Sequence, residues 1–212
     1  MTKTIDAIRT LVRRYMAAIA RGLNRLSGGR LRPDTVTIIG FLMHIPIALL
    51  IAIPGYDLLA AGLLVVFGLF DALDGELARL QGRASAAGML LDASTDRMKE
   101  VLLYTGIGYL LASSAHPATA AWAAAACGAS LCVSYVKAKG EAAIASADTK
   151  IPHATLNRLF KDGLLTFEIR MVVLIIGLVS GYLVVAVAVI TILATYTALQ
   201  RLVRISKALN NV

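Results

Sequence analysis

Four carboxylates crowd one stretch of this 212-residue chain, DALDGELARLQGRASAAGMLLDASTDR over residues 71–97: Asp71, Asp74, Asp92 and Asp96. The chain on either side is as apolar as a membrane segment. A lone carboxylate in hydrocarbon costs roughly 3 kcal/mol on insertion scales, and four together also repel one another. A divalent cation is the simplest compensation, and hard oxygen donors suit Mg²⁺ or Mn²⁺. Two such ions in a carboxylate ring would bind a pyrophosphate and neutralise charge developing on it. A carboxylate not fully committed to metal could take a proton from an incoming alcohol.

The elements that must position these groups are two helices. Asp71 and Asp74 are three apart, so they share a helix face that Gly75 and Ala78 continue. Asp92 and Asp96 are four apart, with Gly88 on the same stripe. The turn between the helices is predicted around Gln81–Ala84, punctuated by Gly82. Both pairs then face each other at similar depth, ~15 Å from the loop at ~1.5 Å per residue. Gly75, Ala78 and Gly88 let the backbones approach closely. Arg79, eight after Asp71 on nearly the same stripe, is placed to clamp a phosphate.

Composition sets the surroundings. The chain is 58% hydrophobic, with a mean hydropathy of +0.75. That excludes an ordinary soluble domain and predicts an all-α polytopic membrane protein. The net charge of +8 is not a nucleic-acid signature, because the basic residues recur between apolar spans. Residues 1–31 read as an interfacial amphipathic helix, with Ile8, Val12, Tyr15, Met16, Ile19 and Leu23 on one side and Arg9, Arg13, Arg14, Arg21 and Arg25 on the other. That segment lacks the apolar core of a cleavable signal peptide.

Residues 32–208 read as six transmembrane helices: Pro33 to about Ile53, Leu58 to Arg79, one through Val101–Ala112, Ala121–Tyr135, Gly163–Ser180 and Tyr182–Leu199. The N-terminal helix, the Arg79–Arg83 loop, the Lys137–Lys161 stretch and the C-terminus are basic; the intervening turns hold no Lys or Arg. The positive-inside rule then puts both termini and the carboxylate end of the second and third spans in the cytoplasm. Their metal site would lie at headgroup depth, open to an amphiphilic substrate.

Pro33 stands where proline favours a helix start. Asp34 and Thr35 follow it, either as plain caps or as part of a helix N-terminus that receives phosphate oxygens; spacing alone favours the cap. His44 within this span reads as a satisfied buried group, and Cys127 and Cys132 as small packing residues.

The run Asp71-Ala-Leu-Asp74-Gly75-Glu-Leu-Ala78-Arg79, eight residues, Gly88, three residues, Asp92, three residues, Asp96 resembles the full signature of the CDP-alcohol phosphatidyltransferases. The resemblance extends to the six-span layout, the interfacial helix and Pro33–Thr37. It implies attack of an alcohol on a CDP-linked lipid, CDP-diacylglycerol or a CDP-diether, with CMP leaving. It implies that Asp71, Asp74, Asp92 and Asp96 hold divalent metal, with Asp96 as general base, and that Asp34, Thr35, Asp74, Gly75, Ala78, Arg79 and Gly88 shape the CDP-lipid site. It also implies a homodimer, in the cell membrane of a prokaryote. The segment Ser134-Tyr135-Val136-Lys137-Ala138-Lys139-Gly140-Glu141-Ala142 looks like that of the branch that uses inositol phosphate. Lys137 and Lys139, with Arg158 and Arg170, are then the candidates for the acceptor phosphate. A glycerol-phosphate or other polar-alcohol acceptor is the alternative within the family. Outside it stand an intramembrane prenyltransferase, which needs more spans and two separated helix pairs, and a divalent-cation transporter, which needs a polar path to the far face that the wholly apolar remainder of these helices does not offer.

Overall fold

The structure, a computed structural model, describes residues 2–146 and 165–210, with side chains from residue 10. The regular structure among those residues is all helical, and the chain divides into two compact units, Met1–Leu103 and Tyr104–Val212. Pro33–Ala52, Asp57–Gln81, Pro117–Ser146 and Leu183–Asn210 are long and apolar enough to cross a membrane.

In the first unit α1 (Thr2–Leu26) leads into α2 (Pro33–Ala52), α3 (Asp57–Gly68), α4 (Phe70–Gln81) and the first part of α5 (Ala86–Ala112). The expected continuous second span is broken between α3 and α4 at Leu69. The interruption is local: Leu69 is itself right-handed helical (φ −77°, ψ −13°) and its carbonyl accepts the Leu73 N–H at 3.1 Å, so Asp57–Gln81 still forms one long apolar span that carries Asp71 just past the junction. α2 and α4 touch at Gly40, where an added Cβ would meet the Phe70 Cβ at 3.1 Å. The outer faces of α2 and α3 carry exposed Ile38, Leu42, Leu49, Leu58 and Val65, the surface of a helix solvated by lipid rather than water.

α1 packs on α4. Met16 and Ala20 bury against Val36, Leu73 and Leu77, with Val12 and Leu23 beside them. Leu11, Tyr15, Ile19 and Leu26 stay exposed, so the helix has a second apolar edge turned away from the protein. Arg13 donates to Glu76 across the junction at 3.2 Å, and the Gln81 amide ties Asn24 and the Leu31 carbonyl to the end of α4.

In the second unit the end of α5 is followed by a 3₁₀ turn (Pro117–Thr119), α6 (Ala120–Ser146), α7 (Phe167–Ser180) and α8 (Leu183–Asn210). α8 packs along both α6 and α7. Small residues permit this: a Cβ at Gly177 would lie 2.5 Å from that of Ala186. Two helices outrun the expected ends: α6 continues past Tyr135 to Ser146, and α8 past Leu199 to Asn210. Lys-Ala-Lys-Gly-Glu-Ala-Ala is mostly good helix former, so a change in polarity there does not end the helix.

Candidate active site

The hairpin of α4 and α5 is closed by local chemistry. Gly82 takes the left-handed conformation (φ 64°) that glycine adopts without strain, and the Arg83 N–H returns to the Ala78 carbonyl at 2.9 Å. Ser85 then caps α5, its hydroxyl accepting the Gly88 N–H at 3.0 Å. The turn therefore falls where Gly82 placed it, and the two carboxylate pairs come back alongside each other.

Asp71, Asp74 and Asp92 each offer one carboxylate oxygen, and the three oxygens lie within 4.8 Å of one another. At an effective dielectric of ~20, each such pair of charges repels by on the order of 3 kcal/mol. Asp92 Oδ1 is buried and has no hydrogen-bond partner among the described residues. Converging hard oxygens with an orphaned buried lone pair are a donor set that fits a divalent cation. Asp74 is oriented from α2: the Thr37 hydroxyl donates to its Oδ2 at 2.5 Å. Asp96 sits outside the triad. Its Oδ1 accepts from Lys99 Nζ at 3.2 Å, and its Oδ2 is 3.7 Å from Arg97.

A pocket opens beside the triad. Pro33, Asp34 and Thr37 line it from α2; Asp74, Gly75, Ala78 and Arg79 from α4; Arg83, Ala84 and Ser85 from the turn; and Gly88, Met89 and Asp92 from α5. Gly75, Ala78, Ala84, Ser85 and Gly88 give part of its lining small side chains. A Cβ at Gly88 would come 3.3 Å from Ser85 Oγ and 3.7 Å from Asp34 Oδ1. Arg79 donates to Glu76 at 2.6 Å, a carboxylate it shares with Arg13.

Thr35 lies outside this lining and is exposed. At ~100° per residue, Thr35 points away from the side that Asp34 and Thr37 share. Neither Asp34 nor Thr35 serves as the expected cap: Arg32 holds the N-cap position, without a side-chain hydrogen bond. His44 is buried, with Nδ1 2.7 Å from the Gly40 carbonyl, a satisfied group as its setting in the span implies.

The four residues expected to receive an acceptor phosphate are differently placed. Lys137 and Lys139 are exposed on α6; Lys137 pairs with Glu141 at 3.9 Å, whereas Lys139 lies over the Tyr135 ring. Arg170 is buried on α7, donating to the Leu165 carbonyl at 2.9 Å. Arg158 lies outside the described residues.

Three residues escaped the sequence reading. Thr37 lies in the first turn of α2 with Asp34 and Thr35, where residue type alone marks no separate role for it. Lys99 is fully buried and donates to Asp71 Oδ1 at 2.5 Å as well as to Asp96; its signal was its spacing, seven after Asp92 on the carboxylate face. Arg201 is buried on α8, donates to the Val133 carbonyl at 3.3 Å, and feels the charges of Arg170 and Glu141. Its signal was the stripe Ile190, Ala194, Thr197, Ala198, Arg201, Ile205, which is buried along its whole length.

A model of the CDP-alcohol phosphatidyltransferase family matches residues 30–199. A phosphatidylinositol phosphate synthase of Cutibacterium acnes is 29% identical over 209 residues, covering 93% of this chain and 99% of the relative. The crystal structure of a Mycobacterium tuberculosis phosphatidylinositol phosphate synthase with CDP-DAG bound superposes with a TM-score of 0.75 at 27% identity, covering 91% of this chain and 94% of that one. A second structure of that enzyme, in complex with manganese and citrate, also gives 0.75 at 27% identity, over 90% of this chain and 88% of the other.

Proposed function

The chain belongs to the CDP-alcohol phosphatidyltransferase family, and on that premise we propose that it transfers the phosphatidyl group of a CDP-linked lipid to inositol phosphate, releasing CMP. The observation that carries the reading is the carboxylate triad beside a pocket lined by Asp34, Gly75, Ala78, Arg79 and Gly88, every one a position of the family resemblance. The relatives' names extend it to the acceptor: the Cutibacterium acnes protein is a phosphatidylinositol phosphate synthase, and the mycobacterial one was solved with CDP-DAG.

The donor lies in the pocket, its nucleotide against the small residues Gly75, Ala78 and Gly88, where larger side chains would occupy the space. Arg79 and Arg83 face the pyrophosphate. Asp71, Asp74 and Asp92 hold Mg²⁺ or Mn²⁺, in keeping with the manganese complex of the mycobacterial relative. That cation, when bound, neutralises pyrophosphate oxygens and the charge that builds on departing CMP. Thr37 keeps Asp74 turned toward the site. Asp96 takes the proton of the inositol phosphate hydroxyl as its oxygen bonds to the lipid-linked phosphorus and the bond from that phosphorus to CMP breaks. The acceptor's own phosphate is received by Lys137 and Arg170, with Arg201 beside Arg170 as a further cation; Lys139 and Arg158 are the remaining candidates from the resemblance.

The protein is an integral membrane protein. In our reading it has six spans, counting α5 and α7 besides the four apolar enough on their own. α1 lies along the cytoplasmic surface, a place supported by exposed Leu11, Tyr15 and Ile19 interleaved with Arg13, Arg14 and Arg21. Active site and termini face the cytoplasm of a prokaryotic cell, and the working unit is a homodimer.

Mass spectrometry of the lipid formed from CDP-diacylglycerol tests the acceptor. The purified chain is offered inositol phosphate, glycerol phosphate, inositol and serine together. The expected product is phosphatidylinositol phosphate; phosphatidylglycerol phosphate as the main product refutes the assignment.

A further inference from the structure

Two arginines line the pocket, Arg79 from α4 and Arg83 from the turn. Each is tied to α1 through one side chain of α4. Arg79 Nη2 donates to Glu76 Oε1 at 2.6 Å, and the same oxygen accepts from Arg13 Nε of α1 at 3.2 Å. Arg83 Nη1 donates to Gln81 Oε1 at 3.1 Å, while Gln81 Nε2 donates to Asn24 Oδ1 of α1 at 2.8 Å and to the Leu31 carbonyl at 2.9 Å. The Leu31 carbonyl can only accept, which fixes which end of the amide is which. Glu76 and Gln81 stand between the positions of the family resemblance and belong to none of them.

An arginine at the mouth of a pocket has much rotamer freedom to lose when it takes up a phosphate. A tether that has already fixed it lowers that cost. Five N–H donors let one guanidinium keep the tether and still serve a phosphate. Glu76 meets this need for Arg79: it draws the guanidinium back over Gly75, where an added Cβ would lie 3.6 Å from Nη2. A carboxylate against a single arginine would cancel the charge that an anion needs. With Arg13 on the same oxygen, the group of three keeps a net positive charge. Gln81 is neutral and leaves the charge of Arg83 whole. We propose that Glu76 and Gln81 are positioning residues for donor binding, each holding one pocket arginine from α1, so that α1 is part of the site that takes the nucleoside diphosphate of the CDP-lipid. The proposal rests on the reading of this pocket as the donor site.

Binding of a short-chain CDP-diacylglycerol to the purified full-length chain tests it without an acceptor, by calorimetry in detergent with saturating Mg²⁺. Arg79→Ala and Arg83→Ala should each raise the Kd by about tenfold or more, as loss of a charge-assisted hydrogen bond does. Glu76→Gln and Gln81→Ala should each raise it about three- to tenfold, the scale of coupling within one network, with Mn²⁺ affinity changed less than about twofold. Added to Arg79→Ala, Glu76→Gln should have little further effect; added to Arg83→Ala, it should keep its full effect. Gln81→Ala should behave the other way round. Arg13→Ala changes an exposed position of α1 and leaves α4 intact, so it carries the test if an α4 variant does not fold. It should weaken binding about twofold, the scale of an exposed ion pair. Unchanged or tighter binding in Glu76→Gln or Gln81→Ala, a full effect of Glu76→Gln once Arg79 is gone, or an equal loss of Mn²⁺ affinity each overturns the proposal and leaves the pocket the donor site. No binding to the unaltered chain, or binding indifferent to both Arg79→Ala and Arg83→Ala, overturns the donor reading with it.

Discussion

Thr37→Val removes one hydroxyl from a buried contact and little else, since the two side chains are nearly the same shape. Thr37 is 4% exposed, and its Oγ1 lies 2.5 Å from Asp74 Oδ2 and 3.3 Å from the Pro33 carbonyl. A threonine has one hydroxyl proton to give, and the shorter contact identifies the carboxylate as its acceptor. A hydrogen bond to a charged group contributes ~1.5–3 kcal/mol, and ~1.4 kcal/mol is tenfold in an equilibrium constant. Loss of the hydroxyl should therefore weaken the site by about 10–100-fold, the range observed for groups that orient metal ligands. The assay is the Mg²⁺ dependence of CMP release. The concentration for half-maximal rate should rise by that factor, with most of the rate recovered at saturating Mg²⁺. Thr37→Ser, which keeps the hydroxyl, should stay close to the unaltered enzyme. A Thr37→Val enzyme whose Mg²⁺ dependence moves less than about twofold would show that Asp74 needs no orientation from α2.

Asp96→Asn removes the proposed base and should lower kcat by ~10²–10⁴ while CDP-lipid binding, measured by equilibrium dialysis, is largely kept; near-normal turnover sinks that role. Arg170→Ala should raise the KM for inositol phosphate by roughly 10-fold or more, as loss of a charged hydrogen bond would, with the KM for CDP-diacylglycerol little changed; equal effects on both substrates would mean that Arg170 only supports α7. Leu77→Ala empties the centre of the α1–α4 contact and should cost ~2–5 kcal/mol, seen as a lower Tm in detergent and faster tryptic cleavage within α1; an unchanged Tm would show that α1 is not held there.

Much of the hairpin was legible because its signals are local. Asp71, Asp74, Gly82, Gly88, Asp92 and Asp96 stand at spacings that only a helix, a tight turn and a helix can use. Pro33 marked the start of α2 for the same reason: its ring fixes φ wherever it stands. The break at Leu69 had no such mark, since a lone glycine such as Gly68 is tolerated within a helix. Thr37 was passed over for Thr35 because both lie in a first turn, and only the rotation of α2 against α4 decides between them. Lys99 carried a readable spacing but lies among Arg97, Met98 and Glu100, where charge looks like a surface. Arg201 was hidden in the same way among the basic residues that end the last span. Both are buried through partners on other helices, which one helix's periodicity does not reveal. Hydropathy also misled at the helix ends: it reports where lipid stops, and α6 and α8 continue beyond that point.

The central claim is that this chain joins inositol phosphate to the phosphatidyl group of a CDP-lipid, and a stoichiometric transfer assay tests it most directly. The purified chain receives CDP-diacylglycerol, radiolabelled inositol phosphate and Mg²⁺, and both free CMP and label in the lipid phase are counted over time. The account predicts one CMP for each labelled lipid, with both signals lost in Asp74→Ala. CMP released without label entering lipid, or label entering lipid independently of CDP-diacylglycerol, would contradict it.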